Sequence, residues 1–150
     1  MTQGSTKTTA LRAPHVAGAF YPAAPDALEN IVTQCIAGAA ETPVPDAKVI
    51  IAPHAGYAFS GPIAGTAFKP LSKRRDSIKR VVIVGPAHRV GFKGLATTSA
   101  DAWATPLGTV PVAWDALRPL LTQPNFHVSD RVFEGEHSLE VHVPFLQQVL

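Results

Sequence analysis

Two of the six histidines follow the same kind of segment. His54 comes just after the apolar run Lys48-Val49-Ile50-Ile51-Ala52, within Pro53-His54-Ala55-Gly56-Tyr57, and His88 closes Gly85-Pro86-Ala87-His88 after Arg80-Val81-Val82-Ile83-Val84. A neutral imidazole offers one ring nitrogen to a metal while its other nitrogen is fixed by a hydrogen-bonding neighbour, which makes histidine the commonest protein ligand. Each of these two also has a glycine close by, Gly56 or Gly85, that keeps the backbone accessible. His54 and His88 are therefore the candidate metal ligands. A catalytic metal site usually takes about three protein ligands and leaves a position open for water or substrate, so two imidazoles are not enough.

His137 is the best local candidate for a further role, standing among Glu134, Glu136 and Glu140. Its expected role is catalytic, binding substrate or moving a proton, with surface capping and direct ligation as the alternatives. His142 is five residues on, and five residues turn a helix by about 140°, so on one helix the two would not share a face. The HExxH arrangement of zinc proteases is absent.

For the other reactive side chains the structural reading carries more weight. His15 lies in a lead-in segment and His127 in a short edge strand, so both are read as structural or surface residues. Cys35 falls on the apolar face of a helix and is read as a small core hydrophobe. Ser60 stands in Ala58-Phe59-Ser60-Gly61-Pro62, which is not the nucleophile elbow of a serine hydrolase. The sequence has no GxGxxG or Walker motif, so it carries no nucleotide-binding signature.

The elements that must position the two histidines follow from periodicity. Leu28, Ile31, Val32, Cys35 and Ala39 recur on one helical face, with Asp26 as N-cap and Glu29 three residues later. Residues 48–52 and 80–84 read as strands buried on both faces. Between them Ile63, Ala64, Ala67, Phe68 and Leu71 are spaced for a helix over 61–71, with Pro62 in its first turn. Strand, helix, strand makes a right-handed βαβ unit with two parallel strands. Both histidines would then leave the same edge, where open α/β sheets bind ligands. Further along, 94–98, 109–112 and 126–128 read as short strands and 113–121 as a short helix. The closing stripe Leu139, Val143, Leu146 and Leu150 is either a helix starting near Pro144 or one capped by Ser138 and kinked at the proline. The pattern stops at Val149-Leu150 without a cap or a basic last turn, so the expectation is of a longer protein's N-terminal part, missing its C-terminal portion.

Composition is that of a folded globular protein, with 46% hydrophobic and 16% charged residues. The net charge of +2 is unevenly spread: Ser72 to Arg80 carries +4, leaving −2 for the rest. That basic run contains no stacking aromatics and reads as a solvated loop rather than a nucleic-acid groove, with an anion site as the alternative. One cysteine permits no internal disulfide, and no apolar run approaches the ~20 residues of a membrane span. A cytoplasmic protein that binds neither nucleic acid nor membrane is expected. Residues 1–11 read as a disordered tail and residues 12–150 as part of one α/β domain.

Four segments, "VAGAFYP", "IAPHAGYAFSG", "VVIVGPAH" and "EGEHSLEVHVPF", resemble in order and spacing those of Memo-like proteins, also known as AmmeMemoRadiSam system protein B. The resemblance runs from about Arg12 to Leu150. It implies a fold like that of class III extradiol dioxygenases: a mostly parallel or mixed central sheet flanked by helices, with a metal at the strand ends. It matches His54 and His88 to the family's ligands of iron or copper, and His137 to a histidine lining the same pocket. It also implies a further cysteine and histidine from a C-terminal half, so that the third ligand is absent from this chain. Cys35, on the first helix, does not match that cysteine. A functional link to AMMECR-like and radical SAM proteins is implied as well.

Three functions follow as expectations. The first is a non-heme iron or copper redox protein, in which this chain alone is inactive, weakly metal-binding and marginally folded. The second is metal handling in redox balance, without turnover. The third is a signalling adaptor whose pocket holds a peptide or another small ligand.

Overall fold

Pro25 starts the first helix, because its missing N–H would be unpaired in the first turn anyway and its fixed φ suits a helix. The computed structural model describes residues 10–41 and 47–150, and in it α1 spans Pro25–Ala37 with Ala24 at the cap. Asp26 is thus not the N-cap expected; it lies inside the first turn, where a carboxylate favours the positive end of the helix dipole. Leu28, Val32 and Cys35 are buried, on the face that periodicity assigns inward.

The second helix, α2 (Tyr57–Phe68), begins four residues before the expected Gly61 and carries Pro62 in its interior. Two tertiary bonds anchor the extra turn. The Tyr57 N–H donates to the Phe20 carbonyl at 2.8 Å, and the Tyr57 hydroxyl donates to the Val141 carbonyl at 2.7 Å. Helices α1 and α2 approach closely because two glycines face Cys35. A Cβ on Gly61 would stand 2.9 Å from the Cys35 Sγ, and one on Gly65 would collide with the Cys35 carbonyl. Burial pushes the Cys35 thiol pKa up, the opposite of what an activated thiolate needs.

A 3₁₀ turn over Glu140–His142 leads into the last helix. Pro144 occupies the first turn of that helix, so the shorter of the two expected forms is the one adopted. In the core Leu28, Val32, Tyr21, Tyr57 and Val149 surround Phe68 and Phe145, whose rings stack with centroids 5.2 Å apart.

The strands form two small sheets rather than one. In the first, β1 (Leu11–Arg12) pairs parallel with β3 (Ala102–Thr105), which pairs antiparallel with β4 (Gly108–Pro111). In the second, β2 (Leu95–Thr97) and β5 (Phe126–Val128) are parallel. The short strands expected from sequence are present, and α3 (Trp114–Leu117) with a following 3₁₀ turn takes the place of the helix over 113–121. The terminal helix is α4 (Val143–Val149).

The expected βαβ unit is not formed. Residues 48–52 and 80–84 belong to no ladder, and Val49, Ile51, Val82 and Val84 are exposed while Ile50 and Ile83 are half-buried. A strand buried on both faces is made by its neighbours, and among the described residues these segments have no strand beside them. The architecture is therefore mixed α/β, with small sheets flanked by helices. The basic run is spread among separate partners: Lys73 meets Glu41 at 3.1 Å, Arg80 meets Asp115 at 2.7 Å, and Arg75 donates to the Gln148 and Val149 carbonyls. Among the described residues no helix is long and apolar enough to cross a membrane.

A buried ion pair joins the start of the fold to its end. Arg12 Nη1 donates to Glu140 Oε2 at 2.7 Å, and Nη2 donates to the carbonyls of Phe133 and Glu136, each at 3.1 Å. Glu140 also accepts from the His15 and Val16 N–H groups and from the Tyr21 hydroxyl. Both ends of residues 133–140 are thereby held, and His137 stands between them.

Candidate metal centre

Three imidazoles converge where the two unpaired segments end. Ring centroids of His54 and His88 are 5.3 Å apart, those of His54 and His137 5.7 Å, and those of His88 and His137 4.7 Å with the rings nearly parallel. One nitrogen from each lies within 4.8 Å of the other two. Metal–imidazole bonds of about 2.0–2.1 Å place two ligands of one ion roughly 3–4 Å apart, so small ring rotations close the set. His54 and His88 thus meet although their flanking strands do not form. His137 adds a third nitrogen from within the chain, where the resemblance implied that the third ligand lies elsewhere.

Glu136 organises this group. Its Oε1 lies 2.9 Å from His88 Nδ1 and 3.5 Å from His137 Nδ1, and its Oε2 accepts the His88 N–H at 2.6 Å. The N–H groups of His137 and Ser138 donate to Oε1 at 2.8 and 2.9 Å. Burial raises the pKa of this carboxyl, but the hydrogen bonds from His88, Ser138 and His137 outweigh it and bring the value down to about 2. An ionised Glu136 keeps the proton of His88 on Nδ1, which leaves Nε2 free to ligate. Gly85 lets this loop close on its neighbour, since a Cβ there would stand 2.8 Å from Leu139 Cδ2. The Ser138 hydroxyl donates to the Pro86 carbonyl at 2.7 Å.

Burial also lowers the pKa of His137, with Glu136 opposing that shift and His88 and His54 adding to it. Phe20 packs on the His137 ring at 4.3 Å and shields it, whereas the His88 side chain is 41% exposed and leaves an open side. Imidazole nitrogens suit a first-row transition metal better than a hard cation.

Sequence reasoning missed two members of this neighbourhood. His142 reaches the same cavity, with its ring 6.5 Å from that of His54. The helical-wheel argument that set it apart from His137 fails, because residues 137–142 form a turn and a 3₁₀ segment instead of one α-helix. Burial brings the His142 pKa down to about 4, and its buried Nδ1 has no hydrogen-bond partner. The other is Glu136, whose only signal in the sequence was its place beside His137. His15 and His127 stay outside the cluster. His15 Nδ1 accepts the Gly135 N–H at 2.8 Å, and His127 lies in β5 against Phe92.

Because Glu136 orients two rings, Glu136→Ala is expected to weaken metal binding by about 10–100-fold, the usual effect of losing such a partner. Isothermal titration with Cu(II) or Fe(II) measures it. Affinity equal to that of the parent would show that the rings hold their orientation unaided.

The family model for Memo-like protein matches residues 12–150. A MEMO1 family protein of Methanopyrus kandleri is 37% identical over 147 residues, covering 92% of this chain and 52% of its own length. One from Thermotoga sp. strain RQ2 is 38% identical over 149 residues, covering 92% and 53%, and one from Methanocaldococcus jannaschii is 34% identical over 153 residues, covering 93% and 52%. The chain spans about half the length of these relatives. Matched along nearly all of its residues, and with His54, His88 and His137 brought together, the chain belongs to the Memo-like family.

Proposed function

We propose that this chain is the metal-binding part of a redox protein, with one iron or copper ion held by His54, His88 and His137. The observation that carries the reading is the three ring nitrogens within 4.8 Å of one another. Three protein ligands with an open position are the pattern of catalytic rather than structural sites, and the exposed side of His88 provides that opening. Iron or copper bound there would supply Lewis acidity and one-electron chemistry.

The protein's own groups bind, orient and shield. Glu136 holds the Nδ1–H of His88, Phe20 covers one face of His137, and His142 closes the inner wall of the cavity as a neutral imidazole. A second reading keeps His137 as a proton carrier instead of a ligand. Its support is the 3.5 Å approach of Nδ1 to Glu136 Oε1, which gives the ring a proton acceptor.

Titration of the purified, metal-free chain with Fe(II) under anaerobic conditions, and separately with Cu(II), tests the proposal. One equivalent should bind with imidazole-nitrogen coordination visible in electron paramagnetic resonance of the copper form. Binding only in several weak equivalents, or without nitrogen coordination, would refute it.

A further inference from the structure

The open side of the imidazole cluster carries one unspent cation. Arg89 directly follows His88, and its side chain lies against the turn that precedes His137. A Cβ on Gly135 would stand 3.5 Å from Arg89 Nε, 3.7 Å from Cδ and 3.8 Å from Cζ. Its charge is felt at the cluster: burial first, and then His88, His54 and Arg89, lower the His137 pKa against the opposing pull of Glu136. Arg89 is exposed, and among the described residues its guanidinium has neither an ion pair nor a hydrogen bond. The buried carboxylates of the loop are committed elsewhere, Glu136 to His88, His137 and Ser138, and Glu140 to Arg12.

The backbone donors of this loop are spent as well. The Gly135 N–H goes to His15 Nδ1, that of Glu136 to the Phe133 carbonyl, and those of His137 and Ser138 to Glu136 Oε1. Phosphate sites are commonly built from several convergent N–H groups, and none of these four is free. What remains is a single planar guanidinium fork, whose geometry matches the two oxygens of one carboxylate. A divalent ion at the imidazoles, with the ionised Glu136 beside them and Arg89 at the edge, leaves the centre positively charged and suited to an anion.

We propose that Arg89 anchors a small carboxylate substrate, pairing with its carboxylate while another oxygen of the same molecule takes the open position on the metal. The second contact rests on the metal centre proposed above, whereas the pairing with Arg89 does not need it. Arg89 is thus a binding residue that selects for negative charge and leaves the metal ligands untouched.

The test uses succinate and glutarate, which carry a carboxylate for each contact, against acetate, which carries one. In the copper-loaded chain, electron paramagnetic resonance follows the titrations. At least one of the two dicarboxylates should bind about 10-fold more tightly than acetate, the low end for a hydrogen bond to a charged group. Arg89→Gln should remove that advantage and bind copper no more weakly than the parent, since a like charge near the ion is gone. In the metal-free chain, the Arg89 Nε–H nuclear magnetic resonance signal should move on addition of either dicarboxylate. Dicarboxylates no tighter than acetate, or an advantage that survives in Arg89→Gln, overturn the proposal. Inorganic phosphate that binds through Arg89 more tightly than both dicarboxylates overturns the carboxylate class. If the parent takes up no copper, the metal centre fails by itself, and the metal-free titration still decides: a moving Arg89 signal supports the anchor, and an unmoved one overturns it.

Discussion

His54→Ala and His88→Ala each lower the affinity for a single Fe(II) or Cu(II) ion by more than about 100-fold, beyond the 10–100-fold range of an outer-shell partner. The expectation rests on geometry: with one ring gone, two nitrogens remain of a set that lies within 4.8 Å. His15→Ala and His127→Ala serve as controls, since both rings stand apart from the cluster. His137→Ala separates the two readings of that residue. An effect as large as that of His54→Ala makes it a ligand, whereas parental affinity leaves it the proton-carrying role. Competition titrations on metal-free protein measure all of these, and parental affinity in both His54→Ala and His88→Ala would refute the site. Affinity should also fall as the medium is acidified, because a protonated imidazole cannot ligate.

The largest effect on stability is expected at Glu140. Glu140→Ala leaves the Arg12 guanidinium buried without its carboxylate, and removes the acceptor for the His15 and Val16 N–H groups and the Tyr21 hydroxyl. Breaking one side of a buried pair typically costs about 3–5 kcal/mol, which for a chain of this size lowers Tm by on the order of 10 °C. Arg12→Met with Glu140→Leu should recover only the part of that loss that comes from the uncompensated charge, because the His15 and Val16 N–H groups and the Tyr21 hydroxyl still lack their acceptor. A loss below about 1 kcal/mol in Glu140→Ala would mean that the pair does not hold the fold.

The pH dependence has a definite sign. Burial raises the Glu140 pKa, but hydrogen bonds from His15, Val16, Tyr21 and Arg12 lower it more, so the folded value lies below the ordinary one of 4.5. Its contribution is complete above that ordinary value and is lost as pH falls through the depressed folded value. Glu140→Ala should therefore show a shallower loss of stability on acidification than the parent, as measured by thermal melts.

Much of this protein was legible along the chain. The inward face of α1 followed from the spacing of Leu28, Val32 and Cys35, and β2, β4 and β5 followed from their own residues and turns, whereas β1 and β3 did not. His54 and His88 were legible because each ends an apolar run, a property carried by a few adjacent residues. Local patterns of this kind need no knowledge of what packs against them.

What surrounds a residue is not written in its neighbours along the chain. Residues 48–52 and 80–84 have strand composition, yet a strand exists only when another backbone lies beside it, and among the described residues none does. His137 and His142 join His54 because a turn and a 3₁₀ segment replace the single helix assumed from spacing, a path held by the Arg12–Glu140 pair across 128 positions. Glu136 becomes the anchor of His88 from 48 positions away. Residue type and periodicity thus determined which groups were suited to bind a metal. Only the tertiary structure decided which of them meet, because long-range hydrogen bonds and packing, rather than local propensity, set the distances between them.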